Sequence, residues 1–185
     1  MPEPVRTLPR DTRRILVAGV SGVGKSTLCR EIARITGIPY TEIDALFHGP
    51  NWTQLPDFLE GVTALSRSES WVTEWQYASA RPVLGARADV LIWLDLPFRV
   101  VLSRVIRRTI RRRLRSEVLW NGNTEPGIWH AITDREGIIR WAIATRNKYR
   151  EFVPELAKRR PELVVVRVRS RSEAKALLER LGRRD

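Results

Sequence analysis

Short apolar runs alternate with helical periodicities along most of this chain. Arg14-Ile15-Leu16-Val17-Ala18 is apolar and β-branched, which predicts a buried strand. Leu28, Ile32 and Ile35 then recur at helical spacing until Gly37-Ile38-Pro39 stops the helix. Further strands are expected at residues 40–44, 71–74, 90–95 and 163–168. Between them, Phe58, Val62 and Leu65 share a helix face after Pro56. Leu102, Ile106, Ile110 and Leu114 share a second after Pro97, and Ile138, Ala142, Thr145, Tyr149, Phe152 and Leu156 form a longer third stripe. The last helix opens on Ser170-x-x-Glu173, a capping box, and carries Leu177, Leu178 and Leu181.

This alternation implies an α/β chain, a three-layer α/β/α sandwich around a parallel five-stranded sheet. Ligands of such sheets gather at the carboxyl ends of the strands. Asp44, Glu74 and Asp95 each close an expected strand, so the three acids should share that edge.

One motif names its chemistry. Gly19-Val20-Ser21-Gly22-Val23-Gly24-Lys25-Ser26-Thr27 matches G-x-x-x-x-G-K-[ST], the phosphate-binding P-loop, and it joins the first strand to the first helix. Backbone N–H groups and the positive end of the helix dipole face an incoming phosphate there. Gly19, Gly22 and Gly24 bring the amides of the loop, those of Ser21 and Val23 included, close to phosphate oxygens. Lys25 can set a compact charge between β- and γ-phosphates, the Ser26 hydroxyl can ligate Mg²⁺, and Thr27 can reach a phosphate. ATP and Mg²⁺ are the expected cofactors.

Composition narrows the class. The chain of 185 residues has the length of one ordinary domain, and its seven tryptophans agree with a globular core. No apolar run is long enough to span a bilayer, and residues 1–14 lack the apolar stretch of a secretory signal. A single cysteine, Cys29, excludes an internal disulfide and fits a reducing, cytoplasmic setting. His48 and His130 stand far apart without cysteine neighbours, which gives a transition-metal site little support. The formal net charge of +12 calls for an anionic partner. It is concentrated: residues 99–115 hold eight arginines and no acid. A second cluster comprises Lys158, Arg159, Arg160, Arg167, Arg169, Arg171, Arg183 and Arg184.

On a helix, Arg104, Arg108, Arg111 or Arg112, and Arg115 line one face. With no acid in the segment to offset their repulsion, an anion is expected to complete them, as in a lid that closes over phosphates during phosphoryl transfer.

The P-loop, the Ile-Asp ending of the second strand, Leu-Asp-Leu-Pro after the fourth and the arginine helix together resemble small P-loop kinases. Asp44-Ala-Leu-Phe-His-Gly-Pro-Asn-Trp52 and Ile138-Ile139-Arg140-Trp141 look more closely like the adenylate-kinase-related group labelled DNA topology modulation proteins. The resemblance covers about residues 14–155 and implies a nucleoside-monophosphate-kinase-like lid. It places Asp44 at the acceptor substrate and Arg104, Arg108 and Arg140 at ATP phosphates. Family members carry Asp-Gly-Asn-Tyr after the third strand and an arginine four residues beyond the tyrosine. Here Glu74-Trp75-Gln76-Tyr77 and Arg81 stand in those places, with Trp75 where the family has glycine. Glu74, Tyr77 and Arg81 are thereby candidate acceptor-binding residues.

These observations lead to an ATP-dependent kinase acting on a small acceptor, nucleotide-like or hydroxyl-bearing, as a monomer or homodimer away from membranes. Its expected parts are an N-terminal arm at 1–13, a substrate-binding region near 45–70 and a lid near 104–136. Two alternatives stay open: a nucleic-acid-associated ATPase or regulator, and an ATP-binding protein that has lost kinase activity.

Overall fold

The computed structural model describes residues 8–114 and 147–183, with backbone alone at 108–114. In chain order the elements are β1 (Arg14–Ala18), α1 (Lys25–Thr36), α2 (Ile43–Phe47), a 3-10 turn (Pro50–Trp52), α3 (Phe58–Arg67), β2 (Trp71–Glu74), α4 (Ala80–Gly85), β3 (Val90–Leu94), α5 (Phe98–Leu114), α6 (Lys148–Arg159), β4 (Val164–Val168) and α7 (Arg171–Gly182).

All strand pairs are parallel, in the order β2-β1-β3-β4, with Leu16 between Thr73 and Leu91. Strand side chains alternate between faces. Ile15, Val17 and Ile92 meet Ile32 of α1, Val105 of α5 and Leu177 of α7 on one face. Leu16, Trp71 and Leu91 meet Phe58 and Val62 of α3, Leu84 of α4 and Val153 of α6 on the other. Both faces are therefore covered, and the strands are near-continuously apolar for that reason.

The sheet has four strands, not the five expected. Residues 40–44 form no strand: Tyr40 makes an isolated parallel bridge to Val72, Thr41 N–H donates to the Val72 carbonyl at 3.0 Å, and the chain then turns into α2. The cause is Glu74, whose buried carboxylate accepts the Tyr40 hydroxyl at 2.7 Å and the Ile43 N–H at 3.2 Å. A buried carboxylate requires such donors, and Ile43 cannot serve both this bond and a strand ladder.

One other expectation changes. Among the described side chains of α5, Val101 and Val105 are buried, while Ile106 is exposed and Leu102 only half-buried. Packing against α1 and the loop before it selects this face over the Leu/Ile stripe. Ahead of β1, Leu8 lies in the core cluster with α1 and α7, and the Arg13 carbonyl accepts the Trp71 N–H at 2.9 Å. The capping box forms: Ser170 Oγ accepts the Glu173 N–H at 3.1 Å, and Glu173 accepts the Arg169 N–H at 2.8 Å.

The opposite edge of the sheet is clasped by Asp89. Its carboxylate accepts the Arg13 and Arg14 N–H groups at 3.1 and 2.9 Å and the Arg14 guanidinium at 2.8 Å. Burial alone would raise its pKa, but these donors outweigh it and hold the carboxyl below its ordinary range. A group depressed in the folded state stabilises above its unfolded pKa and loses that contribution as pH falls through the folded one. Asp89→Asn is expected to cost about 1–2 kcal/mol at pH 7. Denaturant melts should show this gap narrowing below about pH 4; a gap of constant size across that range would refute the clasp.

The hydroxyl of Thr73 in β2 is fully buried and has no hydrogen-bond partner among the described residues. Removing an unsatisfied buried hydroxyl relieves its desolvation cost, so Thr73→Val should raise stability by about 1 kcal/mol in the same melts.

Candidate functional site

β1 ends at Ala18, and the backbone reaches α1 through three glycines with φ of +150° at Gly19, +75° at Gly22 and +109° at Gly24. Gly24 occupies the N-cap of α1 with no side-chain cap, so glycine leaves the helix mouth clear of a competing side chain. Lys25 begins the helix and its Nζ lies 3.4 Å from the Val20 carbonyl, bent back over the loop. Ser26 and Thr27 follow in the first turn. The buried Val23 side chain anchors the loop from below.

α5 closes over this loop from the other side. A Cβ on Gly22 would collide with Val105 Cγ2. Arg104 Nη1 donates to the Val23 carbonyl at 2.6 Å and passes 3.4 Å from where a Gly24 Cβ would stand. Burial, and then the nearby Arg171, pushes the Arg104 guanidinium below its usual range. Among the described residues no carboxylate pairs with Arg104. Helix amides, Lys25 and Arg104 form a donor set that fits a phosphate chain. Ser26, in the first turn of α1, is the residue whose hydroxyl could hold a divalent cation. Among the described residues no cluster of three histidine, cysteine or acidic side chains could do so.

Around Asp44 the second half of the site is assembled. Asp44 stands in the first turn of α2, not at a strand end. Its Oδ1 accepts the Tyr77 hydroxyl at 2.6 Å and the Gln76 side-chain amide. Tyr77 stacks on Phe47 with centroids 4.0 Å apart and meets Phe58 edge-on at 5.3 Å. Its Oη lies 3.2 Å from His48 Nε2, and Trp52 meets the His48 ring at 5.1 Å. Burial and the Asp44 charge raise the pKa of Tyr77, which keeps it a neutral donor. Burial lowers that of His48, with Asp44 opposing. Sequence periodicity did not flag His48; its place one helical turn after Asp44 was the available signal.

The other expected residues are dispersed. Glu74 is spent on Tyr40 and Ile43 and reaches the site only by fixing where α2 starts. Arg81 lies in α4 with its guanidinium 4.1 Å above the Phe152 ring. Lys148, at the start of α6, has its pKa lowered by burial and then by Arg81. Asp95 does not join the acids: it pairs with Arg167 at 3.0 Å and lies 3.9 Å from Arg150. Trp75 turns into the core, its Nε1 donating to the Arg81 carbonyl at 3.0 Å and its carbonyl accepting the Tyr149 hydroxyl at 2.7 Å. It therefore fills no space at the acceptor side. Arg108 lies on α5 with its side chain outside the described residues, as do Arg140, Trp120, Trp129 and most of the expected lid. Within the C-terminal basic cluster, Arg159, Arg160 and Arg167 pair with Glu155, Glu162 and Asp95.

Solved structures share this arrangement. A gluconokinase from Sinorhizobium meliloti 1021 superposes with a TM-score of 0.51 at 24% identity, covering 94% of this chain and 95% of that one. A shikimate kinase from Acinetobacter baumannii in complex with shikimate gives 0.55 at 17% identity, over 93% and 92%. The chain has the fold of small P-loop kinases. No family model matches it. A cytidylate kinase from Nitratidesulfovibrio vulgaris is 37% identical over 57 residues, which is 31% of this chain and only 25% of that protein's length. None of these similar proteins is of the DNA topology modulation group. Among the described residues no helix is long and apolar enough to cross a membrane.

In this P-loop kinase fold, Gly22 is the position where a side chain does most damage, since it adds a left-handed backbone cost of about 1 kcal/mol to the collision with Val105. Gly22→Ala is expected to lower the melting temperature and weaken ATP binding about tenfold or more, as read by calorimetric titration; wild-type affinity would refute the close fit of α5 on the loop.

Proposed function

We propose that this protein is an ATP-dependent phosphotransferase that moves the γ-phosphoryl group to a hydroxyl of a small acceptor. The observation that carries it is the juxtaposition of a complete P-loop, an arginine donating into that loop, and a carboxylate held by two donors on the same sheet edge.

ATP would supply the phosphoryl group, and Mg²⁺, held through Ser26, would supply positive charge against its phosphates. The chain's own groups do the rest. The amides of residues 21–27 and Lys25 hold the phosphates, Ser26 holds the metal, and Arg104 leaves the Val23 carbonyl for phosphate oxygens as α5 closes. Arg108 and Arg140, by the family resemblance, complete that charge. Asp44 orients the acceptor hydroxyl and takes its proton as the new O–P bond forms. The bond from the γ-phosphorus to the bridging oxygen breaks, and its electron pair stays with ADP. Tyr77 and Arg81 flank the acceptor, Arg81 with Lys148 offering positive charge to an anionic group on it. Glu74 serves by holding α2. A hydroxylated acid or a nucleoside monophosphate fits this pairing of a carboxylate base with nearby cations, in line with the gluconokinase, shikimate kinase and cytidylate kinase among the similar proteins.

The nucleic-acid reading rests on net charge, and internal pairing of Arg159, Arg160 and Arg167 weakens it. The kinase reading is tested by titrating ATP-Mg²⁺ into the protein and screening hydroxyl-bearing metabolites and nucleotides for phosphoryl transfer. Lys25→Met should cut turnover by at least ~10²-fold with an unchanged melt. Full turnover in that variant, or nucleic-acid binding with a steep salt slope and no acceptor, would overturn it.

A further inference from the structure

We propose that Tyr77 and His48 are positioning residues for the Asp44 carboxylate, ordering it through a directed chain of hydrogen bonds. The proposal rests on the kinase reading. Tyr77 has one hydroxyl proton and spends it on Asp44 Oδ1 at 2.6 Å. At 3.2 Å from His48 Nε2 its oxygen can then only accept, so the imidazole must carry its proton on Nε2. The chain runs His48 Nε2–H to Tyr77 Oη, then Tyr77 Oη–H to Asp44 Oδ1, and the Gln76 amide donates to that same oxygen. Both donors fall on Oδ1, which leaves Oδ2 to meet the acceptor hydroxyl.

Backbone strain converges on this chain. Asn51, Trp52 and Tyr77, at φ of +54°, +59° and +60°, are the non-glycine residues with positive φ among those described. Two of them, Trp52 and Tyr77, contact the His48 ring. An aromatic residue stays in that conformation only where its surroundings over-determine it, and here a ring stack on Phe47 and two polar partners do so.

Among the described residues, the titratable groups that face His48 are Asp44, from the first turn of the helix that His48 caps, and Tyr77 from the segment after β2; Phe47 and Trp52 also meet its ring. Protonating His48 keeps the Nε2–H donor but adds a charge, which draws on the Tyr77 hydroxyl and makes Asp44 a poorer base. Turnover should fall as pH drops through the histidine pKa. His48→Gln keeps an N–H at the same reach and cannot titrate.

The test has two arms on the full chain. Nitrogen-15 NMR at pH 7, with the second histidine assigned through His130→Gln, should place the His48 proton on Nε2. Kinetics with ATP-Mg²⁺ and a panel of shikimate, gluconate and nucleoside monophosphates should show Tyr77→Phe and His48→Ala losing about 10–100-fold in kcat, at unchanged KM for ATP and with melts confirming the fold. His48→Gln should stay within about threefold of the wild type at pH 7, and its acid limb should move to lower pH. A proton on Nδ1, or wild-type kcat in Tyr77→Phe, overturns the proposal and leaves the kinase reading standing. ATP binding without transfer to any acceptor, with the proton on Nε2, instead removes the kinase reading and the positioning role with it.

Discussion

A buried carboxylate at the end of β2 governs how this molecule presents its chemistry. Glu74 is almost fully enclosed, and such a group persists in a core only when donors satisfy it. The hydroxyl of Tyr40 and the N–H of Ile43 are those donors. They tie the chain after α1 to the sheet edge, end what would have been a further strand and begin α2. Asp44 is the next residue, so its position relative to Tyr77 and Gln76 follows from that clasp.

The nucleotide side obeys a different constraint, close approach of backbone to backbone. Glycines at positive φ carry the chain from β1 into α1, and α5 lies against them so tightly that Val105 leaves no room for a methyl group at Gly22. Because Arg104 precedes Val105, the packing that buries the valine delivers the guanidinium to the Val23 carbonyl. Packing and charge placement are one event on this helix. The same helix shows how an arginine-rich segment is tied to the fold: Val101 and Val105 enter the core.

Trp75 illustrates how a substitution can be absorbed. In a place where the resembled family has glycine, a large ring need not obstruct a ligand if the backbone turns it inward. Here it lies between α4 and α6, with its indole N–H and its carbonyl both satisfied. Beside Asp44, Phe47 and Phe58 instead pack on Tyr77, and their stacked and edge-on contacts hold the tyrosine in a left-handed conformation.

The P-loop, the layered α/β architecture, four of the strands and the capping of the last helix were legible in the residues alone, because each is set by local pattern: short continuous apolar runs, helical spacing, a glycine-rich turn with fixed offsets, a serine three residues before a glutamate. Leu102 and Ile106 of the apolar stripe expected on α5 are not the buried residues, since a helix with apolar residues on two faces takes its inner side from its neighbours. Asp44, Glu74 and Asp95 read alike along the chain and have three fates: one held by polar donors beside the site, one enclosed as a clasp, one paired with Arg167. Which fate each meets depends on groups distant in sequence, and only tertiary packing brings those to within hydrogen-bond reach.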